Sequence, residues 1–345
     1  MKRLLGMCAL MIAITLSKLA YAETDHRALA DRLLSEVILP GVEDFRQATV
    51  VLSASAATCG DGSESDFRDQ FHATWDAWMA IQHLGFGPLE QDNRALQIAF
   101  WPDGRGRTAK TVARLVKAED PIVDDPSGFA KISVAGRGLY ALERLLYEDK
   151  GERLATPYIC RYRKAAAEDL ERLATEIATG WNGEWLEAVK TAGAPENTVF
   201  LAPEEVSQRL LATLNGSLDL TVRLRLGKPL GSLDKPKPRL AEAWRSGRSL
   251  RQIDLIVAAA RKTFDAAFVP DLTPEEVGQV TAVFATIMTA QRDVAAAGDL
   301  QEAVVMDRLK VEILQGAIQR LAEALTGTVG VRLGIAKGFN SADGD

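Results

Sequence analysis

Three groups of residues have the types and spacing to do chemistry. In Gly136-Arg-Gly-Leu-Tyr140-Ala-Leu-Glu143-Arg-Leu-Leu-Tyr147, the residues Tyr140, Glu143 and Tyr147 share one helical face at i, i+3 and i+7. Phenol and carboxylate oxygens are hard ligands and suit Fe(III), which accepts tyrosinate. The same spacing also serves an ordinary packed helix pair. His72 and Asp76 lie four apart and could share a cation, whereas His83 sits too far along the same helix to join them. Trp101-Pro-Asp-Gly-Arg105-Gly-Arg107-Thr108 is a turn opening a helix, with glycines and two arginines suited to an anion or to plain solvent. It lacks the Gly-x4-Gly-Lys-Ser/Thr spacing of a P-loop. His-Glu-x-x-His, Gly-x-Ser-x-Gly and Gly-x-Gly-x-x-Gly are also missing, so no catalytic set is assigned.

The elements that must position these groups read as helices throughout. Alternating β-branched runs and Asn-Gly hairpins are missing. Asp25 can cap a segment running to about Ser55, kinked at Pro40-Gly41, and Ser63 with Asp66 starts another. Thr156-Pro157 places a cap before an N1 proline. Ser249 with Gln252, Asp299 with Glu302, and Thr273 with Glu276 have capping-box spacing. Across 299–325, Val304, Leu309, Ile313, Leu314, Ile318 and Leu321 recur at helical steps. The expectation is an all-α protein of two antiparallel helical-bundle domains packed together, 23–195 and 196–345, dividing within about 191–203. Gly227 to Arg239, with three prolines and three lysines, reads as a long loop inside the second bundle.

Residues 1–22 read as a cleavable secretory signal. Met1-Lys2-Arg3 precedes an apolar run from Leu4 to Leu16, and Ala20-Tyr21-Ala22 fits signal peptidase, with cleavage after Ala22. The mature chain has 323 residues. Without Lys2, Arg3 and Lys18 its net charge moves from −6 to −9, which argues against phosphate-neutralising nucleic-acid binding. It keeps two of the three cysteines, Cys59 and Cys160, an even pair that suits one disulfide in an oxidising compartment. All three histidines precede residue 84, and the mature tyrosines and five of six tryptophans precede residue 186. The first half, or the cleft between halves, is therefore where a site is expected.

Taken together, Phe71-His-Ala-Thr-Trp75-Asp-Ala-Trp78, Phe100-Trp101-Pro102-Asp103, Gly138-Leu-Tyr140-Ala-Leu-Glu143 and Gly338-Phe-Asn-Ser-Ala-Asp-Gly-Asp345 resemble the imelysin-like family. The resemblance implies a two-bundle periplasmic protein associated with iron uptake and with an envelope iron-transport partner. The family also carries a metallopeptidase label. Its motif is Gly-x-His-x-x-Glu; here Gly138 and Glu143 match, but Tyr140 stands at the histidine. Zinc peptidase chemistry needs imidazole or carboxylate ligands, an open position and a base. The expectation is thus an exported, non-enzymatic binding protein for iron, ahead of zinc. Its site lies between the bundles, with Tyr140 and Glu143 as metal ligands and Trp101, Arg105, His72 and Asp76 around them. A metallopeptidase and a metal-free scaffold or anion binder are the alternatives.

Overall fold

The computed structural model describes residues 24–59, 64–148, 151–152 and 154–334. The expected signal segment at 1–22, the Ser63 cap and the motif at 338–345 lie outside them. The chain is all-α. The β features among the described residues are a two-residue antiparallel ladder between β1 (Tyr147–Glu148) and β2 (Gly151–Glu152) and an isolated bridge between Ser232 and Lys235.

The chain begins with α1 (His26–Arg32), capped by Asp25, whose Oδ1 accepts from the Arg27 and Ala28 amides at 3.1 and 3.0 Å. It continues through a widened turn, Leu33–Ile38, into α2 (Leu39–Ser55). The kink expected at Pro40-Gly41 is therefore a wide turn just upstream, and the helix runs on through Pro40. Gly41 serves a different purpose: a Cβ there would sit 2.8 Å from Ile81 Cγ2, so its absence lets α2 approach α3 (Glu64–Ile81) closely. Short α4 (Arg94–Ile98), α5 (Arg107–Ala118) and α6 (Pro126–Phe129) lead to α7 (Gly138–Leu146). The long α8 (Pro157–Asn182), capped by Thr156, packs along α2 and α7, and α9 (Glu184–Lys190) closes this half. Its core is aromatic: Phe45, Phe71, Trp75, Tyr162 and Trp181 are fully buried.

The second half comprises α10 (Pro203–Leu220), α11 (Gly227–Leu230), α12 (Ser249–Thr263), α13 (Pro274–Ala295), α14 (Leu300–Met306) and α15 (Arg308–Ala324). The chain between α11 and α12 is irregular and exposed over residues 231–240. α13 packs on α15, while α12 crosses to α3 and α1 packs on α10, so both ends of the first half touch the second.

Two sequence expectations fail here for identifiable reasons. Of the three capping boxes only Thr273–Glu276 forms. Ser249 is already inside α12, and it is Asp299, at the start of α14, whose carboxylate accepts from the Ser249 and Leu250 amides at 3.2 and 2.7 Å. One acid thus caps a helix other than its own. Leu309 and Ile313 are exposed, because α15 buries the stripe Val311, Leu314, Ile318 and Leu321 instead.

Candidate functional site

The site is built around α7. Its first residue, Gly138, has φ +73°, and a Cβ there would lie 2.4 Å from the Ile98 carbonyl oxygen. Only glycine allows α7 to start pressed against the end of α4. From there α7 is buried on almost every side, including Tyr140 and Glu143. The Tyr140 ring meets Trp75 edge-on, with centroids 5.1 Å apart.

Partners from the second half complete the site. The Tyr140 hydroxyl donates to Glu242 Oε1. Arg225 grips the same carboxylate, with Nε donating to Oε2 and Nη2 to Oε1. Arg225 Nη2 also donates to Gln82 Oε1 at 3.0 Å, and its guanidinium lies over the Trp101 ring, 4.8 Å from the centroid. One turn along α7, Glu143 Oε1 accepts from the amide and hydroxyl of Ser246 at 3.1 and 2.8 Å. Asp76 binds Arg248 and, at 2.7 Å, Arg251. The short stretch from Glu242 to Arg251 therefore stitches the second half to α3 and α7 at three acidic or phenolic points.

Burial sets the protonation states. It pushes the Tyr140 hydroxyl well above the ordinary phenol range, and the Glu242 charge pushes it further, so the phenol keeps its proton. Burial likewise raises the Glu143 carboxyl, against the Ser246 hydrogen bonds that favour the anion. His72 bonds the Tyr147 hydroxyl at 2.8 Å and stacks on its ring; burial and the nearby Arg248 charge hold it at about 4, hence neutral. Five arginines (Arg225, Arg248, Arg251, Arg144 and Arg245) act on three carboxylates, Glu242, Glu143 and Asp76.

The structure brings Tyr140, Glu143, Trp101, His72 and Asp76 to this seam but does not join them as expected. His72 and Asp76 share no cation, since Asp76 is committed to two arginines. Arg105 stays exposed on its turn. The anion-cradle reading of that turn gives way to internal capping: the Asp103 carboxylate accepts from the Arg107 and Thr108 amides, both at 2.8 Å, and fills the start of α5. His26 bonds Ser207 and His83 bonds Thr263, so neither faces Tyr140.

A resident metal ion does not fit these residues. Metal ligation needs deprotonated donors. Tyr140 holds its proton, Glu242 is neutralised by Arg225, and Glu143 is engaged by Ser246. Elsewhere among the described residues, donors of Cys59, Glu64 and Cys160 cluster within 4.8 Å. Both sulfurs are joined in the Cys59–Cys160 disulfide and Glu64 pairs with Arg163, so that cluster is committed as well.

Sequence reasoning missed Arg225, Glu242, Ser246 and Gln82. One signal was present: Trp244, the sixth tryptophan, stands in an arginine-rich stretch of a half otherwise lacking His, Cys and Tyr.

Comparison with known proteins agrees with this architecture. The sequence profile of the family described as imelysin, a peptidase family by name, matches residues 38–327. No curated protein matches the sequence. The fold is similar to the crystal structure of an imelysin-like protein from Psychrobacter arcticum 273-4, with TM-score 0.73 and 20% identity, covering 91% of this chain and 97% of that one. It is equally similar, at TM-score 0.73 and 14% identity over the same shares, to a protein described as an iron-regulated protein A precursor from Parabacteroides distasonis ATCC 8503. With most of its length matched by the family profile and the fold shared along nearly all of it, the chain belongs to the imelysin family.

Proposed function

We propose that the protein is an exported, periplasmic, non-enzymatic binding protein of iron acquisition, and that it meets iron as an anionic carboxylate chelate rather than as a bare ion. The observation that carries the reading is Arg225. Its guanidinium occupies the cationic place beside Tyr140 and Glu242, and its Nη1 is buried without a hydrogen-bond partner. An unmade bond on a buried charge is costly, and an incoming carboxylate oxygen would satisfy it. Half-buried Trp101 and Gln82 both touch Arg225. The surplus of arginines at the seam repels free cations in a chain that is acidic overall. The leader at 1–22 and the disulfide support export, and the iron-regulated structural neighbour supports the link to iron.

Against a peptidase stand the tyrosine at position 140, where the family motif has histidine, and the engagement of both buried glutamates. Calorimetric titration with ferric citrate should give saturable binding that iron-free citrate competes away and Arg225→Gln weakens. Chelator-sensitive digestion of casein would overturn the non-enzymatic reading.

A further inference from the structure

An open cavity of about 740 Å³ lies mainly in the second half, beginning at Asp254, one turn of α12 beyond Arg251. One wall is a single stripe of α12 and its continuation, including Asp254, Val257 and Ala258; the facing wall is the α13 stripe Phe284, Met288 and Gln291. The size is that of a small-molecule site. Its walls are mostly apolar, but two of the residues lining it each carry a buried polar atom with no hydrogen-bond partner: Asp254 Oδ1 and the Gln291 amide nitrogen. Buried polar atoms are nearly always paired, so two orphans in one cavity ask for a shared partner.

The neighbouring cations do not serve Asp254. Arg251, one turn earlier, is held by Asp76. Arg261 makes two bonds to Asp265, at 2.8 and 2.7 Å, and lies over the Phe284 ring. Lys262 is exposed two turns further along, about 12 Å up the axis. Asp254 is left as an acceptor wanting a charged donor, and Gln291 as a donor wanting an oxygen.

We propose that this cavity binds a small amphiphilic amine, with its ammonium group on Asp254, an oxygen acceptor on Gln291 and its apolar body between Phe284, Met288 and Val257. The site is separate from the Tyr140 seam and stands whether or not that seam binds a chelate. Burial and the Asp299 charge hold the Asp254 carboxyl at about 6 against the pull of Arg251, with Glu36, Arg261, Lys262 and Asp265 also lining the cavity; at neutral pH the anion is present.

The test is calorimetry on the mature protein with three probes of one shape: tyramine, tyrosol (which lacks the amine) and phenethylamine (which lacks the oxygen). Tyramine should bind, with tyrosol about tenfold weaker or more and phenethylamine weaker by a smaller factor. Asp254→Asn should weaken tyramine about tenfold, and Ala258→Trp, at an exposed position on the wall, should block it. Equal binding of tyramine and tyrosol overturns the proposal. So does binding that survives both variants, or no tyramine binding at millimolar concentration.

Discussion

Arg225 and Glu242 form a two-point ion pair at the boundary between the halves, with side chains only 3% and 2% exposed. Neither residue can leave without stranding the other. Removing one partner of a buried pair costs about 3–5 kcal/mol, because a lone charge stays behind. Arg225→Met should lower the unfolding free energy obtained from urea titration by an amount of that order. Arg225→Met combined with Glu242→Gln should recover a good part of the loss. A double variant as unstable as the sum of the singles would show that the pair is not coupled.

The disulfide closes a loop across most of the first half. Cys59 and Cys160 are 101 residues apart, and in the chain-entropy model such a loop is worth up to about 4–5 kcal/mol. The Cys59→Ala/Cys160→Ala variant should lose about 2–5 kcal/mol in denaturant titration, and the non-reduced mature protein should contain no titratable thiol.

Asp299 holds the start of α12 from outside that helix. Asp299→Ala should cost about 0.5–2 kcal/mol, the usual value of a lost cap. Glu302→Ala, at the other end of the box that does not form, should cost almost nothing. Equal losses in a thermal scan would restore the local box.

Acid should loosen the joint between α3 and α12. His83 is fully buried, bonds Thr263 Oγ1 at 2.8 Å, and burial lowers it from 6.5 to about 4. The folded state thus prefers the neutral ring, and its contribution is complete above pH 6.5. It is lost as pH falls from there through 4, because the unfolded chain takes up the proton first. The loss is on the order of 3 kcal/mol. Asp254 works in the opposite direction, since its raised value favours the folded state at low pH and that contribution fades as pH rises through 6. The His83→Asn variant isolates the effect: its stability should fall less than the parent's between pH 6.5 and 4. Identical slopes would rule His83 out as the cause.

Helices were legible wherever their signals are local. Asp25, Thr156 and Thr273 cap as their spacing predicts, because a cap needs only residues within one turn. Asp299 has the same local spacing but a closer outlet in three dimensions, and spacing cannot register that. At the seam, Tyr140 and Glu143 were visible from their helical phase and from the family motif. Their partners were not. Glu242 lies 102 residues from Tyr140, Ser246 lies 103 from Glu143 and Gln82 lies 143 from Arg225. The first two pairings are set by how the irregular 241–248 stretch docks and the third by how the end of the α10 segment meets α3, and no periodicity encodes docking. The reading of Tyr140 as a metal ligand rested on its phenol oxygen, its shared face with Glu143 and its place in the family motif; the structure adds Glu242, which takes its hydrogen bond, and Arg225, which supplies positive charge.

In the proposed reading Arg225 holds the place of an ion beside Tyr140 and Glu242, and a metal titration tests this. Mature protein and its Tyr140→Phe variant are titrated calorimetrically with Zn(II) and, anaerobically, with Fe(II), followed by admission of air and recording of the visible spectrum. Neither ion should give saturable heat, and no tyrosinate-to-Fe(III) charge-transfer band should appear. One-to-one binding with such a band, abolished by Tyr140→Phe, would contradict that reading.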